Sequence, residues 1–139
     1  MDCDSLARGL NRVALPRVLH VVTGGFSGAT QVAVDLVRGA LASGRNQPFL
    51  ALRRKRHTPV DRVAALRAEG LSVEMVPGWS HLVTIAALVR LCRRLRPDVV
   101  VAHGFPEHLL ARHAALLAGV LIFFPLLLQR WITDQNIII

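Results

Sequence analysis

Tyrosine is missing from this sequence, and aromatic residues of any kind make up only 5% of it. Five phenylalanines and two tryptophans give too few π-faces for a stacking platform, so nucleic acid is not an expected partner. Cysteine occurs twice, at Cys3 and Cys92, which excludes a disulfide scaffold. The two lie too far apart in sequence for a CxxC metal or redox pair. The first residues, Met1 to Asn11, carry Asp2 and Asp4 and lack the basic-then-apolar order of a signal peptide. The longest uncharged run, Ala114 to Gln129, is broken by Gly119 and Pro125 and falls short of the ~20 apolar residues of a spanning helix. It reads as a helix end followed by a buried strand, with a membrane-embedded segment over Ala114–Leu128 as the lesser alternative. No internal repeat or low-complexity linker interrupts the chain.

The 139 residues that are present suit one domain, 53% hydrophobic and 19% charged, which excludes intrinsic disorder. Basic residues outnumber acidic ones by 17 to 9, for a net charge of +8. Lys55 is the only lysine; the other basic residues are arginines. Such a balance suits acidic partners, among them phosphates and an anionic membrane surface, or else a plainly solvated basic face.

Local patterning alternates strand and helix. Arg17–Val22 is short and β-branched and runs into Thr23-Gly24-Gly25, a strand ending in a glycine turn. Ala29–Ser43 has helical spacing, with Val32, Leu36, Val37, Ala40 and Leu41 expected on the buried face and Gly44 as its stop. Pro48–Leu52 is a second strand, Arg53–Pro59 a basic loop, Val60–Ala68 a short helix and Leu71–Val76 a third strand. Ser80 is expected to cap a helix running to about Leu95 through its hydroxyl. Arginines at 90, 93, 94 and 96 crowd that helix end, where cations complement the dipole. Val99–Ala102 is a continuous apolar run suited to a central parallel strand. His103–Pro106 is a loop, Glu107–Ala118 a helix and Val120–Phe124 a fifth strand. The order predicts an α/β fold, a Rossmann-like three-layer α/β/α arrangement with a parallel sheet of about five strands.

In open parallel sheets ligands bind beyond the carboxyl ends of the strands, which singles out the loops Thr23–Gly28 and His103–Glu107. Thr23-Gly24-Gly25-Phe26-Ser27-Gly28 could bring backbone amides and a helix N-terminus to a phosphate. It lacks the lysine and spacing of a Walker A loop, and Phe26 breaks the GxGxxG pattern. Arg53 and Arg54 stand where a NAD site would place an acidic residue, so an NADP-like site is weakly supported. A tight turn without ligand is the plain alternative. His103 could donate to a sugar hydroxyl or phosphate, or move a proton near neutral pH; a loop histidine with a backbone partner is equally expected. His103, His108 and His113 recur every fifth residue, which aligns no two ligands on one helix face, so no metal site is predicted. Ser27 and Thr30 sit in no nucleophile elbow, and capping accounts for them.

Arg17-Val18-Leu19-His20-Val21-Val22-Thr23-Gly24-Gly25-Phe26-Ser27-Gly28-Ala29-Thr30-Gln31-Val32 resembles the opening of family 4 (group 1) glycosyltransferases, with its "kIlhv…GGaerv" strand, turn and helix. Arg96-Pro97-Asp98-Val99-Val100-Val101-Ala102-His103-Gly104 resembles their "kPDvvhaHg" strand. Leu41-Ala42-Ser43-Gly44-Arg45, before the second strand, adds to the pattern, which covers roughly residues 16 to 120. The resemblance implies the acceptor-side, N-terminal half of a GT-B enzyme that transfers sugar with retention and without metal. Its partners would be a nucleotide-sugar donor, as substrate and not as cofactor, and a lipid, lipopolysaccharide or other glycan acceptor.

By the same resemblance His103 is the candidate catalytic residue, near the transferred sugar. Gly24, Gly25, Phe26, Ser27, Gly104 and Glu107 are the candidate substrate-binding residues, the two glycines close to the donor diphosphate. The implied location is cytoplasmic, peripheral to the inner face of the membrane. Ala29-Thr30-Gln31 departs from the family, whose helix starts with an acidic residue. The family also continues into a donor-binding half with paired glutamates, whereas Leu126–Ile139 no longer resembles it. The expected organisation is an extension over 1–15, the Rossmann-like domain over 16–124 and an atypical, frameshifted tail over 125–139. Transfer activity is not expected without the donor half. A stand-alone nucleotide- or anionic-lipid-binding module without catalysis is the alternative.

Overall fold

The computed structural model describes residues 14–119 and 121–123. Cys3, most of the expected extension and the whole of the expected tail lie outside them. Strand β1 (Arg17–Thr23) leads to helix α1 (Gly28–Ser43), then β2 (Gln47–Arg53), α2 (Val60–Ala68), β3 (Val73–Val76), α3 (His81–Leu95), β4 (Val99–Ala102), α4 (Phe105–Ala118) and β5 (Leu121–Phe123). The strands form one parallel sheet in the order β3-β2-β1-β4-β5. The chain therefore winds outward in one direction from β1, returns, and winds outward in the other. The reversal falls between β1 and β4, where Val18 pairs with Val99 and Val21 with Ala102.

Strand alternation distributes the core. Leu19, Val21, Phe49, Ala51, Val100 and Ala102 face α3 and α4, meeting Leu88, Leu91, Cys92, Leu110, Ala111 and Ala114. Val22, Leu50 and Leu52 point the other way, toward Ala33, Val34 and Val37 of α1 and Val63 and Leu66 of α2. Both faces are thus covered, as the unbroken apolar runs of β2 and β4 require. Burial holds the Cys92 thiol up at about 11, so it is an inert core group.

Three local expectations need correction. Helix α1 buries Thr30, Ala33, Val34 and Val37, and of the five expected core positions only Val37 is fully buried; Val32 is 54% exposed and Leu36 48%. Small side chains let the helix lie close on the sheet, and the Thr30 hydroxyl is spent on the Thr23 carbonyl at 2.8 Å. Neither Ser27 nor Ser80 caps through its hydroxyl. The side-chain bond at the start of α3 is of another kind: Thr84 Oγ1 donates to the carbonyl of Pro77 at 2.6 Å or of Ser80 at 2.8 Å, tying the first turn to the loop before it. Helix α4 begins at Phe105, not Glu107, because Gly104 at φ +94° turns the chain directly into it. Gly44 ends α1 as expected, in the left-handed conformation with its N–H on the Ala40 carbonyl.

Candidate functional site

The carboxyl rim of the sheet is built by loops that lean on one another through main-chain atoms. The Gly24 N–H donates to the Arg53 carbonyl at 2.8 Å, and the Arg54 N–H donates to the Val76 carbonyl at 2.8 Å. These bonds tie the turn after β1 to the end of β2, and the loop after β2 to the end of β3. A Cβ on Gly24 would lie 2.7 Å from both the Arg53 carbonyl oxygen and Thr58 Oγ1. On Gly78 it would lie 1.9 Å from the Arg54 carbonyl oxygen. Both glycines are needed because backbone passes where a side chain would stand. The Gly24 amide is spent inside the fold. Gly25, by contrast, is exposed and open to the rim. Phe26 turns the chain with φ +50°, packs its ring on the α1–α2 side of the core and lies under the Arg62 guanidinium. Exposed Ser27 precedes the first turn of α1.

His103 follows β4 directly, and its N–H donates to the Val21 carbonyl at 2.9 Å, continuing the β1–β4 ladder. Its ring is buried and stacks on that of His20 from β1, with centroids 5.3 Å apart and planes inclined by 20°. His20 Nδ1 and His103 Nε2 are 3.0 Å apart, so one nitrogen donates and the other accepts. The two tautomers are therefore linked: whichever ring gives its proton to the shared bond presents an acceptor at its other nitrogen. Burial, reinforced by the neighbouring imidazole, holds His20 down at about 4. Burial also lowers His103. Both rings are neutral at pH 7, and His103 can accept or donate a single proton without carrying a resident charge.

Glu107 stands in the first turn of α4, where a carboxylate complements the helix dipole. It is only 1% exposed, and its Oε2 would be 3.1 Å from a Cβ on Gly104. Its Oε1 lies 3.6 Å from an Arg53 guanidinium nitrogen, close enough for ion pairing and too long for a hydrogen bond. Glu107 thus reaches beneath the sheet rim to Arg53, linking the β4 loop to β2. Among the described residues no group of three or more metal-ligating side chains assembles.

An opening of about 1030 Å³ lies on this rim beside the Gly25 turn, between the loops after β2 and β3. Arg53, Arg54, Lys55, Arg56 and His57 form one side of it. Met75, Val76, Pro77 and Trp79 form the other, with the Trp79 side chain standing out into solvent. The sequence marks Arg53–Arg56 as a basic loop, either solvated or facing an anionic ligand or surface, and does not single out the other wall. The available signal was Pro77-Gly78-Trp79: a tryptophan directly after a strand, in a chain that has few aromatics.

No protein-family model matches the sequence, and no curated protein matches it either. Solved structures do match. A glycosyltransferase from Rickettsia africae superposes with TM-score 0.63 at 14% identity, over 80% of this chain and 29% of its own. The lipopolysaccharide outer core galactosyltransferase WaaB gives 0.60 at 13%, over 78% and 32%. A UDP-GlcNAc 2-epimerase from Neisseria meningitidis, solved with UDP-GlcNAc, gives 0.60 at 16%, over 78% and 31%. At these identities the likeness shows the fold, and the fold is a Rossmann-like half of a GT-B architecture. The chain spans about a third of the length of each of these proteins.

Proposed function

We propose that the chain is the acceptor-side half of a glycosyltransferase that moves a sugar from a nucleotide-sugar to a glycan or lipid acceptor. The observation that carries this reading is the placing of the Gly24–Ser27 turn and His103 directly after the neighbouring strands β1 and β4, where the strand order reverses, on a half-fold shared with glycosyltransferases. That reversal is where open α/β sheets hold their ligands. His103, neutral and oriented by His20, would contact the transferring sugar and hold or release one proton at its free ring nitrogen. Gly25, Phe26, Ser27 and Gly104 would line the approach, and Glu107 would hold the β4 loop against Arg53. The exposed arginines at 90, 93 and 96 favour work beside an anionic membrane surface.

The test is protein-observed NMR on the isotope-labelled 139-residue chain with glycan acceptors and nucleotide-sugars in parallel. Acceptors are expected to perturb Gly25 and His103, nucleotide-sugars to bind weakly, and sugar transfer to be absent until a donor-binding half is supplied. Tight nucleotide-sugar binding without acceptor binding, or enzyme-like transfer by these residues alone, would refute the proposal.

A further inference from the structure

The opening beside Gly25 separates its two chemistries. Among the described residues, every charged side chain that lines it is basic, and all of these belong to the loop that begins at the end of β2. The opposite wall, Met75, Val76, Pro77 and Trp79, is apolar. A volume of about 1030 Å³ is that of a small-molecule site. A nucleic acid strand would need a longer cationic track with several stacking rings; here there is one indole.

The backbone that carries the cations is held in place before any ligand arrives. Lys55 N–H donates to Thr58 Oγ1 at 2.7 Å, Thr58 packs on Gly24, and Arg54 is bonded to Val76. Arg53 is the deepest cation. Its guanidinium lies between the Gly78 carbonyl at 3.4 Å and Glu107 at 3.6 Å, both long contacts, and its buried Nε has no partner among the described residues. Arginine forks match phosphate oxygens, and several converge here on one space.

We propose that this cleft binds a small phosphate ester, its phosphoryl group on Arg53, Arg54 and Lys55 and its sugar or apolar body against Trp79 and Pro77. Under the transferase reading, on which the word acceptor rests, the acceptor would carry a phosphate next to its sugar or lipid body; binding itself does not depend on that reading.

Calorimetry on the 139-residue chain tests it, with glucose 1-phosphate and glucose as one pair and dihexanoylphosphatidic acid and dihexanoylglycerol as the other. At least one ester should bind about tenfold or more tightly than its uncharged partner, and the pair that responds identifies a soluble or a lipid source. Arg54→Gln with Lys55→Gln should weaken the ester about tenfold, and more salt should weaken it further. Trp79→Ala should weaken the ester while leaving inorganic phosphate binding unchanged. All three side chains are exposed, and circular dichroism confirms that the variants fold. Equal affinity for charged and uncharged partners, or unaltered binding by the variants, would overturn the proposal. So would tighter binding of a short oligonucleotide that ignores Trp79→Ala. Ester binding without transfer once a donor half is added would keep this site and refute the transferase; transfer to an unphosphorylated acceptor that ignores these variants would do the reverse.

Discussion

Two regions of the same rim handle polar groups in opposite ways. Between β1 and β4, His20, His103 and Glu107 are buried, and the two rings are neutral and share one hydrogen bond. Between the loops after β2 and β3, Arg54, Lys55 and Arg56 stand in water beside an exposed indole. The first region spends stability to fix orientation, because each buried polar group must find a partner. The second spends little, because its charges keep their hydration. Changes in the first region, or in the backbone packing of the rim loops, should therefore register in folding, whereas changes to the exposed side chains of the second should register in binding.

The largest effect is expected at the glycines where the backbone of one rim loop passes against that of the next. Gly78→Ala places a methyl 1.9 Å from a carbonyl oxygen and should cost about 3 kcal/mol, the upper part of the usual overpacking range, in urea denaturation. Gly24→Ala, at 2.7 Å, should cost about 2 kcal/mol, while Gly25→Ala, with no neighbour inside 3.8 Å, should change stability little. Equal losses at Gly24 and Gly25 would remove the distinction drawn between a packed glycine and an open one.

Acid should find the buried region next. His20 titrates near 4 in the folded protein against 6.5 ordinarily, so the unfolded chain takes up the proton first as pH falls. Stability is complete above about 6.5 and is lost progressively down to about 4, by roughly 3 kcal/mol, with His103 acting in the same direction. Urea midpoints measured at closely spaced pH values should show this slope, and His20→Leu should flatten it.

A smaller contrast lies at the start of α3. Thr84→Val should cost about 1 kcal/mol by stranding the Pro77 carbonyl, and Ser80→Ala should be nearly neutral. Smallest of all, Trp79→Ala and Arg54→Gln should leave thermal unfolding within about 0.5 kcal/mol of the parent chain.

Much of the architecture was legible because its signals are local. Val99–Ala102 is too apolar for a strand with a wet face, and Gly44 and Gly119 stop their helices by taking up φ angles that other residues avoid. The loops at Thr23 and His103 followed from topology alone. The buried face of α1 was not legible, since apolar residues lie on more than one side and the close fit to the sheet favours Thr30 and Ala33 over Val32 and Leu36. The histidine pair was hidden too: His20 and His103 are 83 residues apart, and only the β1–β4 register brings them together. The cleft was half visible, its cations in one run and its opposite wall in a separate loop whose nearness depends on β2 pairing with β3.

The bonds that join the rim loops run mostly between main-chain atoms, and they use almost nothing that the Arg54–His57 side chains supply. That loop therefore behaves as an interchangeable cassette. Its residues can be rewritten wholesale, to acidic or uncharged sets, with the scaffold untouched. A library at these positions would sample ligand preference at nearly constant stability, which makes the chain a practical starting point for redesign.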